Sequence, residues 1–160
     1  MGSRNSSTTA KVVHAVFACA SSDYSSTSLY MGDGNKYVAA NATEGTAGGI
    51  KSIPGLDPNK NYLITRMEAT FGTAPGGSKT ATLVVRTDHV TPFTMAAGLD
   101  IRDGSSTLTG TIAGASATTL DTQALIPLAA KDSVTIKVSS GDAACAATTI
   151  VVILTIEERN

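Results

Sequence analysis

Residues 148–157 read TTIVVILTIE, a dense run of β-branched residues that is too short to span a membrane. Such a run predicts a strand that is covered on both faces. One row of alternate aliphatic residues can face a core: Ile150, Val152, Leu154 and Ile156. Val151 and Ile153 then point the other way, where a half-exposed sheet would carry polar residues.

The second row of this strand needs a cover of its own. A fully buried aliphatic side chain contributes about 1.5–3 kcal/mol, so leaving Val151 and Ile153 in water would be a substantial loss. We predict that a partner subunit covers them and that Val151, Ile153 and Thr155 form an oligomer interface. The alternative is a cover from an N-terminal segment or a loop of the same chain.

Composition limits the class of protein. A chain of 160 residues suits one domain with its own core, without metal or disulfide support. The net charge is −1 and the few Lys and Arg residues are scattered, which argues against a nucleic-acid partner. No apolar run is long enough for a transmembrane helix, so we expect no membrane partner either.

Residues 1–10 read MGSRNSSTTA, a small polar arm that cannot fold alone. We expect the arm to be extended and held against a neighbouring protein. Its predicted contact residues with that neighbour are Arg4, Asn5, Ser6, Ser7, Thr8 and Thr9. The apolar segment that follows resembles a secretion leader, but it is short and carries His14, so we interpret residues 11–20 as the first strand.

The rest of the chain alternates short strand patterns with turn residues, and no segment has a convincing helical pattern. The predicted strands cover residues 28–31, 37–40, 49–53, 62–71, 80–88, 107–113, 120–128 and 133–139. In residues 62–71 we expect Leu63, Met67, Ala69 and Phe71 to face the core. The pattern predicts an all-β protein with a single sandwich or closed jelly-roll domain at residues 11–160.

Catalytic patterns are missing from the sequence. It has neither the GxSxG nor the HExxH pattern, and adjacent Asp88 and His89 would point to opposite faces of a strand. We interpret His14 as a structural histidine and expect only His89 to be exposed. The prediction is a protein that is not an enzyme and that binds no cofactor or metal.

Two short segments carry a family resemblance: GTAPGGSK at 72–79, between two strands, and LAAKDSVTIKV at 128–138. Over residues 60–158 the order of strands and loops resembles the jelly-roll domains of tailed-bacteriophage fibres, spikes and capsid decoration proteins, which are similar to the tumour-necrosis-factor and complement group. The resemblance implies a virion structural protein that forms homotrimers. Its expected partners are itself and a major capsid protein or another virion protein.

The sequence has no heptad stem and no collagen-like repeat, so the resemblance favours a capsid decoration and stabilisation protein over a fibre tip. Such a protein would be assembled in the host cytoplasm and reside on the capsid surface. One alternative is a receptor- or glycan-binding tip that uses Tyr24, Tyr30 and Tyr37. A second alternative is a secreted adhesin-like domain.

The chain contains two cysteines, Cys19 and Cys145, which are too few for a disulfide scaffold and lack metal-binding spacing. In folds of the group named above, the first and last strands commonly lie side by side. The resemblance therefore implies that the two thiols approach each other. We expect them to stay reduced rather than bonded, because virions assemble in a reducing cytosol.

Overall fold

The computed structural model describes residues 11–19, 28–31, 36–37, 51–87, 107–114, 117–130, 132–142, 145 and 148–159. These residues form ten strands. They are β1 (Val12–Cys19), β2 (Ser28–Met31), β3 (Lys36–Tyr37), β4 (Lys51–Ser52), β5 (Asn61–Phe71), β6 (Thr80–Thr87), β7 (Thr107–Ala113), β8 (Thr119–Ala129), β9 (Ser133–Ser140) and β10 (Ile150–Arg159).

The strands form two antiparallel sheets. Sheet A has the order β1-β10-β5-β8, and sheet B has the order β3-β2-β9-β6-β7, with β4 also paired to β9. The main pairings are nested: β1 with β10, β2 with β9, β5 with β8 and β6 with β7. This is the arrangement of a long hairpin that is folded over into two sheets, which defines a jelly roll. The prediction of an all-β jelly-roll sandwich is confirmed.

The core lies between the two sheets and takes alternate residues from each strand. The predicted inner row of β10 is confirmed, since Ile150, Val152, Leu154 and Ile156 are all 0% exposed. Sheet B contributes Ala81, Leu83, Val85, Val134, Ile136 and Val138, which are equally buried. In β1 the inner row is Ala15, Phe17 and Cys19. Strict alternation works here because successive side chains of a strand point to opposite faces.

One strand departs from this alternation. In β5 the inward positions shift from Tyr62 and Ile64 to Met67 and Ala69, and Thr65 is the extra residue. The registers to both neighbouring strands shift at the same place. This is a β-bulge, which adds one residue to a strand and changes the face of every residue beyond it. The prediction that Leu63 faces the core is therefore wrong, and Leu63 lies on the outer face.

The first and last strands are antiparallel neighbours, with Cys19 opposite Ile150. Cys145 lies five positions before Ile150 in the sequence, and both cysteines are buried free thiols. Burial raises the pKa of the Cys145 thiol, while a hydrogen bond with Ser140 opposes that rise. Both thiols thus behave as small apolar side chains in the core.

Candidate functional site

The outer face of sheet A carries a group of aliphatic side chains that the sandwich does not cover. Val16 lies opposite Ile153, and Ala18 lies opposite Val151, on adjacent strands β1 and β10. We call these four residues the apolar strip. Val16 is 49% exposed, whereas Val151 and Ile153 are half-buried. The sequence pattern of alternating Val and Ile already predicted the β10 half of this strip.

The structure also places the other predicted interface residue beside the apolar strip. Thr155 lies opposite His14, and its hydroxyl is 3.4 Å from His14 Nδ1. His14 is exposed on this face, so the prediction that only His89 is exposed is wrong. That prediction rested on the apolar sequence neighbours of His14, whereas the alternation of β1 places His14 on the outer face. His89 itself lies outside the described residues.

The other half of the same face is charged. Arg66 on β5 donates to Asp121 on β8, with Nε 2.8 Å from Oδ1, and it lies 3.2 Å from Glu68. The hydrogen bond with Arg66 holds the pKa of Asp121 below its usual value, and the same bond raises the pKa of Arg66. Because Arg66 pairs with both carboxylates, this half of the face can remain in water or lie at the rim of an interface.

A shallow depression at one end of this face is lined by Thr65, Gln123, Leu125, Glu157 and Arg159. Thr65 is only 9% exposed, and its hydroxyl is 3.2 Å from Glu157 Oε1. Glu157 in turn pairs with Arg159 at 3.2 Å. Beside them Leu125 is 70% exposed within β8, although the next residue, Ile126, is buried. The sequence did not predict that Leu125 is exposed, because residues 120–128 have the pattern of an ordinary strand.

A second concave feature lies at β1, the edge strand at the opposite side of sheet A. The hollow has a volume of about 260 Å³. It is lined by Val13, His14, Ala15, Val16, Ile53 and Pro54. Ile53 is buried and follows β4, so the hollow combines residues that are far apart in the chain. Most of its lining is apolar.

At one end of the sandwich, two loops are tied together by an aspartate. The amide of Gly76 donates to Asp142 Oδ2 at 3.0 Å, and Lys79 Nζ lies 3.9 Å from the same oxygen. A Cβ atom on Gly76 would clash with that oxygen, so a larger residue here would displace the Asp142 side chain from this bond. The GTAPGGSK loop therefore has a structural role in this fold.

Other predicted binding residues fall partly outside the described residues. The arm at 1–10 and Tyr24 are among those outside. Tyr30 on β2 and Tyr37 on β3 are direct cross-strand partners. Within the part of the chain that the structure describes, no group of three or more His, Cys, Asp or Glu side chains could hold a metal ion. No described helix is long and apolar enough to cross a membrane.

Comparison with known proteins identifies no family for this chain. No protein-family model and no curated protein matches the sequence. A chain from Sacbrood virus of honeybee in expansion state II is 12% identical, with a TM-score of 0.31, and the match covers 92% of this chain and 81% of that chain. A second chain from Sacbrood virus of honeybee has the same identity and TM-score, and the match covers 92% of this chain and 67% of that chain.

Similarity at this level carries no argument about family or function. The jelly-roll assignment rests on the strand pairing of the chain itself. Membership of the tailed-bacteriophage group stays a prediction.

Proposed function

We propose that this protein is a non-enzymatic structural component of a virion, which self-assembles, with three copies favoured, and attaches to the capsid surface to stabilise it. The observation that carries the proposal is the apolar strip on the outer face of sheet A. A jelly roll needs only one apolar face per sheet to form its core. The second apolar face of β1 and β10 is therefore available for contact with another protein.

The layout of this face matches the anatomy of a protein interface. Interfaces have an apolar centre and a polar rim. Here the apolar strip on β1 and β10 would form the centre, and the ion-paired residues Arg66, Glu68 and Asp121 would form one rim. Because the rim charges already have partners, bringing a second protein alongside leaves none of them unpaired. Covering the exposed half of Val16 would add about 1 kcal/mol.

Self-assembly is tested by placing a charge in the strip. Val16→Asp should lower the mass of the assembly, because an aspartate in a dry interface is costly. Thr111→Asp is the matched control, since Thr111 is exposed on the outer face of sheet B. Mass would be measured by light scattering after size-exclusion chromatography, and folding by circular dichroism. Folded variants with the same mass as the wild type would contradict the proposal.

Attachment to the capsid is assigned to the arm at residues 1–10. The arm joins β1 at Lys11, whose Nζ donates to the carbonyl of Gly55 at the end of the sandwich. Deleting residues 1–10 should abolish cosedimentation with capsids and leave the folded assembly intact. A variant in which a ten-residue Gly-Ser linker replaces the arm controls for length. Undiminished capsid binding by both variants would refute this role.

A second candidate function is recognition of a glycan or receptor. It would use the predicted tyrosines, of which Tyr30 on β2 and Tyr37 on β3 are backbone partners on adjacent strands. Aromatic rings are the side chains on which sugars stack. A glycan array would detect this function, and binding that is lost in both Tyr30→Ala and Tyr37→Ala would support it. An array without hits would count against it.

A further inference from the structure

The two edge strands of sheet A carry features of opposite shape. Leu125 on β8 projects an aliphatic side chain of which 70% is exposed. The hollow at β1 is concave, mostly apolar and about 260 Å³ in volume. In the strand order β1-β10-β5-β8 these features are separated by three interstrand steps of about 4.8 Å, or roughly 14 Å. One copy cannot fill its own hollow with its own Leu125.

The hollow is large enough for a leucine side chain. It has room for more than a single water molecule, and a leucine side chain fits the same space. Water against a lining that is mostly apolar, with His14 as its ionisable side chain, finds few hydrogen-bond partners. An aliphatic side chain is therefore a better occupant than water.

The lining of the hollow also indicates the direction of entry. It includes Val13 and Ala15 from the inner row of β1 and His14 and Val16 from its outer row. Residues from both faces of one strand meet only around its edge, so the hollow opens along the edge of the sheet. Leu125, in contrast, lies on the outer face near the other edge. Placing the β1 edge of one copy against the outer face of β8 in the next copy brings these features together, whereas stacking two outer faces of sheet A does not.

We propose that Leu125 of one copy inserts into the β1 hollow of the next copy. The contact is heterologous, because it joins two different surfaces, and its repetition around a rotation axis closes a ring. This inference rests on the proposed self-assembly and specifies which surfaces take part. Val16 belongs both to the hollow and to the apolar strip, so the neighbour that supplies Leu125 also covers part of the strip.

The first test is a charge at the projecting residue. Leu125→Asp should weaken assembly at least about tenfold, measured as the concentration at which the complex dissociates in sedimentation velocity. Thr119→Asp is the control, because Thr119 is exposed on the same face of β8. Both positions are exposed in the single chain, so both variants should fold. Equal assembly of the two variants would overturn the proposed contact.

The second test is cross-linking between two single variants. Leu125→Cys and Pro54→Cys would be mixed and oxidised, and a disulfide-linked dimer should form in the mixture and in neither variant alone. Wild-type protein controls for Cys19 and Cys145, which are buried. Dimers from Leu125→Cys alone would indicate a two-fold contact and overturn the inference.

The two proposals fail in different ways. A wild-type protein that is monomeric at all concentrations contradicts the proposed self-assembly. A wild-type assembly that Val16→Asp disrupts, but that gives no mixed cross-link and tolerates Leu125→Asp, contradicts only the insertion of Leu125.

Discussion

Two neighbouring residues of β10 should respond very differently to truncation. Leu154 faces the core and is 0% exposed, whereas Ile153 faces outward in the apolar strip. Changing Leu154 to Ala removes three carbon groups worth about 0.8 kcal/mol each, or about 2.4 kcal/mol. The cavity left behind adds to this, so the free energy of unfolding should fall by about 3–5 kcal/mol. With an m-value of about 2 kcal/mol/M, the urea midpoint would decrease by about 2 M.

Ile153→Ala removes the same number of carbons from a half-buried site, so in the monomer it should cost only about 1 kcal/mol. In the assembly its cost should be greater, because the neighbour's contact is lost as well. The free energy of unfolding of an oligomer increases with protein concentration. Ile153→Ala should therefore reduce that concentration dependence, while Leu154→Ala should lower the midpoint at every concentration.

The assay is equilibrium urea unfolding at two protein concentrations that differ about a hundredfold, with circular dichroism as the signal. The wild type should show a higher midpoint at the higher concentration. Equal losses for the two variants at both concentrations would refute the division of β10 into a core row and an interface row. A wild-type midpoint that is independent of concentration would refute the interface.

Other positions allow further tests. Gly110→Ala would place a Cβ atom 2.5 Å from Leu120 Cδ2, and the free energy of unfolding, measured in thermal melts, should fall by about 1–3 kcal/mol. Adding Leu120→Ala should restore part of this loss. A double variant whose loss is the sum of the two single losses would contradict the clash. The pKa of Asp121, followed by NMR, should lie below the ordinary value of 3.8 and return toward it in Arg66→Met. Because the folded-state pKa is lowered, the stabilisation from this pair is present above pH 3.8 and is lost as the pH falls through the folded-state pKa. Arg66→Met should therefore lower the melting temperature at neutral pH and leave it unchanged in acid, and an equal decrease at both pH values would contradict this. Finally, Cys145 should react with a thiol reagent only after unfolding, since burial raises its pKa; rapid labelling of the folded protein would contradict this.

The sequence predicted the class of fold because strand alternation is a local property. The inner row of β10 was predicted from its period of two, and the buried rows of β6 and β9 follow the same period. The outer apolar row of β10 was predicted from the same period. Short loops that are rich in glycine marked the ends of most strands.

The bulge at Thr65 could not be predicted in this way. Residues 62–71 contain apolar side chains in both possible registers, and only the pairing with β10 and β8 decides where the extra residue lies. Since a bulge changes the face of all residues on one side of it, a strictly alternating pattern assigned Leu63 to the wrong face. The exposure of His14 depends in the same way on whether another segment covers β1.

The sequence alone determined that the protein is built from strands and that its last strand has two apolar rows, because periodicity and residue type act over a few neighbouring residues. Only the tertiary structure decided that the outer row lies beside Val16, that a hollow joins β1 to Ile53, and that Leu125 projects at the opposite edge. These features arise where strands from distant parts of the chain become neighbours, and their shape depends on register and sheet order rather than on local sequence.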